Sequence, residues 1–447
     1  MRGERFRRRL ATALAALALA LPARPGAADE LLSAGDVELR VAIGERQSEM
    51  VERLADWVER NTGTWNTAGL EAFAPLLADE LRKLDFAVTL VPSAPLEIPG
   101  RKDPHTGPIV LAERRASLEP EHAHRFLLMG HFDTVFEPDA EFQHWRLDPE
   151  RPDRATGPGA SDMKGGLVVL LEALRALAES RDLARADVTV LLNSDEEMGS
   201  LGSRERIEAA ARKAEYGLVF EAAREGGELA RSRGGAGQFH LDVRGVSAHV
   251  AASGSEGHSA IVALAKKVIA IESLTDYSRG ILLNVGTIEG GTKRNVVPDH
   301  ASAWIDLRYD EPGQGEEMRA RLEQIARAED VPGTSATLWG RLHRPPKPET
   351  PQVDALLWLQ QKLARELGFP APVALRSSSV TDGSLSQAVG LPTVDALGVR
   401  GGEAHTEREF VVLPSLSERA TIAAVLIRHL SLASPPAPAP VDAGGAR

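Results

Sequence analysis

Short apolar runs alternate with amphipathic stretches along most of the chain. Phe126-Leu127-Leu128-Met129 leads into Gly130-His131, Val188 to Leu192 into Asn193-Ser194-Asp195-Glu196-Glu197, and Leu218-Val219-Phe220 into Glu221. A fourth run, Pro392 to Leu397, comes shortly before His405. Runs of this length, rich in Val, Leu and Phe, read as buried parallel strands. Between the first two, Gly165 to Ala178 places Leu167, Leu170, Leu171, Leu174 and Leu177 on one stripe, the pattern of a helix facing a core. Upstream, Val37 to Val58 and a stretch from Glu71 to Leu84 predict helices, while Phe86 to Val91 and Ile109 to Glu113 predict strands. The alternation predicts an α/β fold with a mostly parallel sheet flanked by helices.

The rhythm changes after Gly226-Gly227 and Gly234-Gly235. Gly237 to Val243 reads as a strand, Ser259 to Leu274 as a helix, and Ile281 to Ile288 and Ser302 to Arg308 as strands. Glu316 to Ala328 then reads as a helix and Thr334 to Leu342 as a strand. That β-α-β-β-α-β order is the ferredoxin-like pattern. It ends at the linker Pro345-Pro346-Lys347-Pro348, after which α/β alternation resumes. The expected plan is a catalytic domain over 29–232 and 346–433 with an inserted domain at 233–345. The Pro-, Ala- and Gly-rich segment 434–447 is expected to be a disordered tail.

The first 28 residues have a basic stretch from Arg2 to Arg9, an apolar stretch from Leu10 to Leu21, and small residues from Ala23 to Ala28. This is the layout of a secretory signal peptide, too short to be a membrane span, and it predicts a periplasmic or secreted protein. Arg7-Arg8-Arg9-Leu10 also admits the twin-arginine route. The formal charge of the whole chain is -12, and the six Arg and one Glu of this segment leave a body near -17. An acidic body argues against a nucleic-acid partner. Any anionic substrate has to be held by a few placed arginines rather than by the overall field. With no Cys, thiolate ligands, disulfides and a Cys nucleophile are excluded.

In an open α/β sheet, ligands gather outside the carboxyl ends of the strands. His131, Asp133, Asp162, the pair Glu196-Glu197, Glu221 and His405 are therefore candidate metal ligands that the topology brings together. Strand alternation puts His131 and Asp133 on one side, so Asp133 is placed to accept the proton on the imidazole nitrogen facing away from a metal. A strand-end His is also commonly a satisfied polar residue, and Asp162, just before a helix, also fits an N-cap. Glu196 and Glu197 would repel each other without a cation between them or a proton on one, although a solvated acidic loop remains open. Their divergent side chains let one ligate a metal while the other reaches a water.

Three segments then carry a resemblance: Gly130-His131-Phe132-Asp133-Thr134-Val135, the stretch from Gly157 to Gly166 with Ser161-Asp162-Met163-Lys164, and Ser194-Asp195-Glu196-Glu197-Met198-Gly199-Ser200. Over about residues 40 to 430 the chain resembles the co-catalytic zinc metallopeptidases. That family includes bacterial glutamate carboxypeptidase, aminoacylase and succinyl-diaminopimelate desuccinylase, and the chain resembles the first of these branches most. The resemblance implies two Zn²⁺ ions bridged by Asp162, with His131 and Glu221 on one and Glu197 and His405 on the other. Mn²⁺ or Co²⁺ also suits such ligands. It further implies Glu196 as general base, a homodimer formed through the inserted domain, and His249 offered across that interface to the oxyanion.

Asn295, Arg308 and Arg344 match polar residues that hold a substrate carboxylate in the family. The loop Ser377-Ser378-Ser379-Val380-Thr381-Asp382-Gly383 keeps a Thr-Asp pair that follows glycines in relatives. Here Ser377 to Ser379 replace those glycines, so Ser378 and Ser379 with Thr381 are expected to line the substrate wall and relax any preference for glutamate. Glu221, where relatives acting on a free amino terminus carry Asp, favours a carboxypeptidase or N-acyl-amino-acid amidohydrolase acting on a small substrate or short peptide with a free carboxylate. The alternatives are a dipeptidase and a metal-binding dimer module without catalysis.

Overall fold

The computed structural model describes residues 31–433 except Gly100, Asp103, Gly254, Ser255 and Ser378, and the side chains of Ala252 and Ser253 are likewise left aside. The expected signal segment 1–28, the tail 434–447 and Ser378 lie outside the described residues.

The main sheet contains β1 (Ala87–Val91), β2 (Ile109–Arg114), β3 (His124–His131), β4 (Ala186–Asn193) and β5 (Tyr216–Val219), in the order β1-β2-β4-β3-β5, with Thr393–Val394 beyond β5. It is mixed rather than uniformly parallel. β2 pairs antiparallel with both β1 and β4, whereas β4-β3, β3-β5 and β5 with Thr393–Val394 are parallel. The connections explain this, because helix-bearing crossovers give parallel neighbours and loop-only connections allow antiparallel ones. Helix Lys164–Glu179 links β3 to β4, and Arg204–Ala211 links β4 to β5. The fourth apolar run forms only the two-residue strand Thr393–Val394, because Ala396 takes a φ of 66° and breaks the extension.

Helix Lys164–Glu179 is buried on most of its surface and packs against the C-terminal helix Ser415–Leu432. Leu167, Leu170, Leu174 and Leu177 are wholly enclosed in this core. Cutting one of these to Ala costs about 2–5 kcal/mol. The expected helix from Val37 to Val58 is two helices, Ala34–Glu45 and Gln47–Val58. Arg46 leaves helical geometry between them and bonds back to the carbonyls of Ile43 and Gly44. The next helix starts at Thr67, before Glu71, because the Asn66 side chain caps it by accepting from the Gly69 N–H.

A separate four-stranded antiparallel sheet holds β6 (Gly235–Arg244), β7 (Leu282–Gly290), β8 (His300–Tyr309) and β9 (Ser335–Arg344) in the order β7-β8-β6-β9. Helices Ala260–Glu272 and Gln314–Arg327 close over a core of its own around Phe239, Leu264, Ile305 and Leu322. The chain enters this unit beside Arg233 and leaves beside Lys347. The backbones of those two residues exchange N–H to O bonds of 2.9 Å in both directions. No helix among the described residues is long and apolar enough to cross a membrane.

Candidate active site

The parallel strands aim their carboxyl ends at one cleft of about 390 Å³, whose walls include Asp162, Glu196, Glu197, Glu221, Arg233 and His405. His131 ends β3 and is paired in register with Asn193 at the end of β4, so the Glu196-Glu197 loop starts beside it. Its Nε2 lies 3.2 Å from Asp162 Oδ1 and 3.5 Å from Glu221 Oε1. His405, exposed on the rim with a φ of 65°, places Nε2 3.2 Å from Asp162 Oδ2 and 3.1 Å from Glu197 Oε2. The Asp162 carboxylate thus lies between two imidazoles, one at each oxygen. It is not an N-cap, since Met163 precedes the helix and makes no side-chain capping bond.

Asp133 is fully buried. Its backbone oxygen lies 3.1 Å and its Oδ1 3.3 Å from His131 Nδ1. The same carboxylate accepts the N–H groups of Glu196 and Glu197, at 3.1 and 3.2 Å, and the hydroxyl of Thr64 at 2.8 Å. It therefore orients the imidazole and the acidic loop together.

The charges are strained without cations. Burial pulls the His131 imidazole down, yet Glu221, Asp133 and Asp162 carry it well above its ordinary value. Hydrogen bonds to Asp162 and Glu197 push His405 up to about 11. Burial, aided by the charge of Asp162, pushes Glu197 up to about 8. Burial also pushes Glu221 up to about 8 despite His131. Asp162 goes the other way in spite of burial, because both histidines bond to it. A divalent cation bound among these imidazoles and carboxylates would displace protons from them. Ligand atoms of His131, Asp162 and Glu197 lie within 4.8 Å of one another, as do those of His131, Glu196 and Glu221. Imidazole and carboxylate donors without thiolate fit a divalent metal.

The other expected residues divide. Ser379 and Thr381 line the cleft. Arg344 reaches the site from behind Glu196 and is wholly buried, with Nη2 3.0 Å from both Glu196 Oε1 and Asp382 Oδ1. This departs from its expected role of holding a substrate carboxylate, since both terminal nitrogens are taken by protein groups of the same chain. Arg308 does not line the cleft of its own chain either, and its guanidinium bonds both oxygens of Asp306. His249 and Asn295 are exposed side by side on the second unit, where the Val250 N–H donates to the Asn295 carbonyl at 3.3 Å. They too lie outside the cleft of their own chain.

Two residues that the sequence reading missed stand out. Arg233 faces the cleft with Nε on Asp395 Oδ2 at 2.6 Å and Nη1 on Ser379 Oγ at 2.5 Å. Glu409, also buried, accepts the N–H groups of Gly159, Ser161 and Asp162 at 3.1, 2.8 and 3.0 Å and so holds the Asp162 loop. Their partners lie so far away in sequence that only the fold joins them. The weak local signal for Glu409 is its place four residues after His405.

The model of peptidase family M20/M25/M40 matches residues 127–429. Carboxypeptidase G2 from Pseudomonas sp. (strain RS-16) is 28% identical over 392 residues, covering 87% of this chain and 91% of that protein. Succinyl-diaminopimelate desuccinylase from Halorhodospira halophila is 30% identical over 326 residues, covering 68% of this chain and 83% of its own. A crystal structure of a tripeptidase from Staphylococcus aureus superposes with a TM-score of 0.69 at 20% identity, covering 86% of this chain and 98% of its own, which speaks for the fold. With the match spanning both the ligand segments and the second unit, this chain is a hydrolase that belongs to peptidase family M20/M25/M40.

Proposed function

We propose that this chain is an exported dinuclear zinc carboxypeptidase or N-acyl-amino-acid amidohydrolase that cleaves the amide bond next to a C-terminal amino acid. The observation that carries the reading is Asp162, with His131 at 3.2 Å from one oxygen and His405 at 3.2 Å from the other. That carboxylate is placed to be shared by two cations, with Glu221 beside the first imidazole and Glu197 beside the second. When bound, such a pair supplies Lewis acidity to a water and to the scissile carbonyl.

The protein's own groups do the rest. Glu196 stands in the cleft wall, with Oε1 on Arg344 and, among the described residues, no hydrogen-bond partner on Oε2. It takes a proton from the attacking water and returns it to the leaving nitrogen. Burial raises the Glu196 carboxyl, which suits it to both halves of that transfer, while Arg344 opposes the rise. Arg233, beside Glu221, and the exposed Arg224 are the cations lining the cleft that face a substrate carboxylate, and Ser379 and Thr381 form the wall next to Arg233. With Nε on Asp395 and Nη1 on Ser379, Arg233 has Nη2 left to donate a charge-assisted bond to that carboxylate.

The four-stranded unit is read as an inserted ferredoxin-like dimerisation module. Support comes from its edge strand β7 and from exposed Ile269, Tyr277 and Ile288, 72%, 83% and 58% accessible. Across such an interface His249, with Asn295 and Arg308, would serve the neighbouring chain's cleft. The test is to assay zinc-loaded protein against N-acyl amino acids, peptides and unblocked dipeptides. Cleavage of blocked substrates with a free carboxylate is expected, with turnover down at least ~10²-fold in Glu196→Gln at unchanged metal content. Preference for unblocked dipeptides contradicts the reading.

A further inference from the structure

Beneath Glu196 lies a buried polar network that joins three parts of the fold. Asp382 is 2% exposed and starts the helix Asp382–Ala388. Its Oδ2 accepts Asn193 Nδ2 at 2.9 Å, and its Oδ1 accepts the Ser200 hydroxyl at 2.5 Å. The same Oδ1 lies 3.0 Å from Nη2 of Arg344, the last residue of β9. That one nitrogen also donates to Glu196 Oε1 at 3.0 Å and to the Ser200 hydroxyl at 2.8 Å. Nη1 is occupied by the Gly199 carbonyl, and Nε is buried with no partner among the described residues.

An arginine facing a carboxylate prefers a fork in which two N–H groups meet two oxygens. Arg344 does not make one here. It shares a single nitrogen between two carboxylates and leaves Nε without a bond. We propose that Asp382 is a positioning residue for the proton-transfer step. By competing for Arg344 it holds that cation to one oxygen of Glu196 and keeps the other oxygen open to the cleft. Without Asp382, only neutral acceptors, the Gly199 carbonyl and the Ser200 hydroxyl, oppose rotation of the guanidinium into a two-point pair with Glu196, which closes both oxygens to water. Ser200 bridges Asp382 and Arg344 and sets the angle of approach.

This rests on Glu196 as the proton carrier. The test measures kcat, KM, bound zinc and thermal midpoint for Asp382→Asn, Arg344→Met and the double variant, using the best N-acyl amino-acid substrate. Asp382→Asn is expected to lower kcat by about tenfold or more while KM stays within about threefold and zinc is retained. In the Arg344→Met background the same change is expected to cost less than about twofold, because the cation it restrains is gone. A purely structural part for Asp382 predicts equal losses in both backgrounds, and that result overturns the proposal, as does an Asp382→Asn enzyme with wild-type kcat. If Asp382→Asn fails to fold, Ser200→Ala leaves both charges and removes only the bridge. A loss of about threefold or more in kcat that vanishes in Arg344→Met supports the proposal, and an unchanged kcat overturns it. Failure of the underlying reading is seen separately, as an active Glu196→Gln enzyme.

Discussion

The backbone N–H of Asp162 donates to the buried carboxylate of Glu409 at 3.0 Å, across 247 positions of sequence. The same side chain takes two more N–H groups and the Ser161 hydroxyl from that loop. Such outer groups fix a ligand's orientation before any ion arrives. Glu409→Gln cannot accept at both oxygens, so zinc affinity measured by chelator competition is expected to fall about 10–100-fold. Unchanged affinity would mean that the loop holds its shape unaided.

Arg233 sets the second expectation, which concerns substrate. Amidating the substrate's carboxylate is expected to cost about 1.5–3 kcal/mol, roughly ten- to a hundred-fold in kcat/KM. Arg233→Met should impose a similar loss on the free acid and nearly none on the amide. An amide cleaved as fast as the acid sinks the carboxypeptidase reading and leaves a broader amidohydrolase.

Exposure of His249 makes assembly testable. Mixing His249→Ala chains with Glu196→Gln chains places both intact groups at one of the two sites of a mixed dimer. Partial activity is expected to return. If chain exchange is demonstrated and activity stays absent, the histidine does not act across an interface.

Acid stability has a local origin that joins the first and last described helices. Burial opposes ionisation of Asp36, but bonds from His429 and Ser33 hold its carboxyl well below the usual range. Arg428 adds an ion pair at 2.9 Å. A carboxyl lowered by folding adds stability that is fully present above its unfolded value of about 3.9 and is lost as pH falls toward the folded value. Asp36→Asn is therefore expected to lose about 1–3 kcal/mol near neutral pH. The gap in urea midpoint from wild type should shrink below about pH 4. A gap of constant size down to about pH 3 would place the stabilisation elsewhere.

Most of the candidate metal ligands were legible because they follow apolar runs whose ends the topology fixes, Asp162 in its glycine-rich loop being the exception. His131 closes β3, Glu197 and Glu221 follow β4 and β5, and the fold needs only to bring their ends level. The β-α-β-β-α-β order of the second unit was legible through the change of period after Gly234-Gly235. What the sequence hid is the partner choice of charged groups. Arg344 reads as a substrate arginine until burial places it against Asp382 and Glu196. Arg233 carries no local mark in the sequence, because Asp395, which accepts from its Nε, lies 162 positions on. The reversed direction of β2 was equally hidden, since an apolar strand carries no mark of its sense.

The shared carboxylate of Asp162 is the centre of the account, and elemental analysis tests it most directly. Protein supplemented with zinc and freed of loose ions is expected to hold two ions per chain, and Asp162→Ala, folded by its thermal midpoint, is expected to hold neither. One ion in the wild type, or a variant that keeps both, contradicts it.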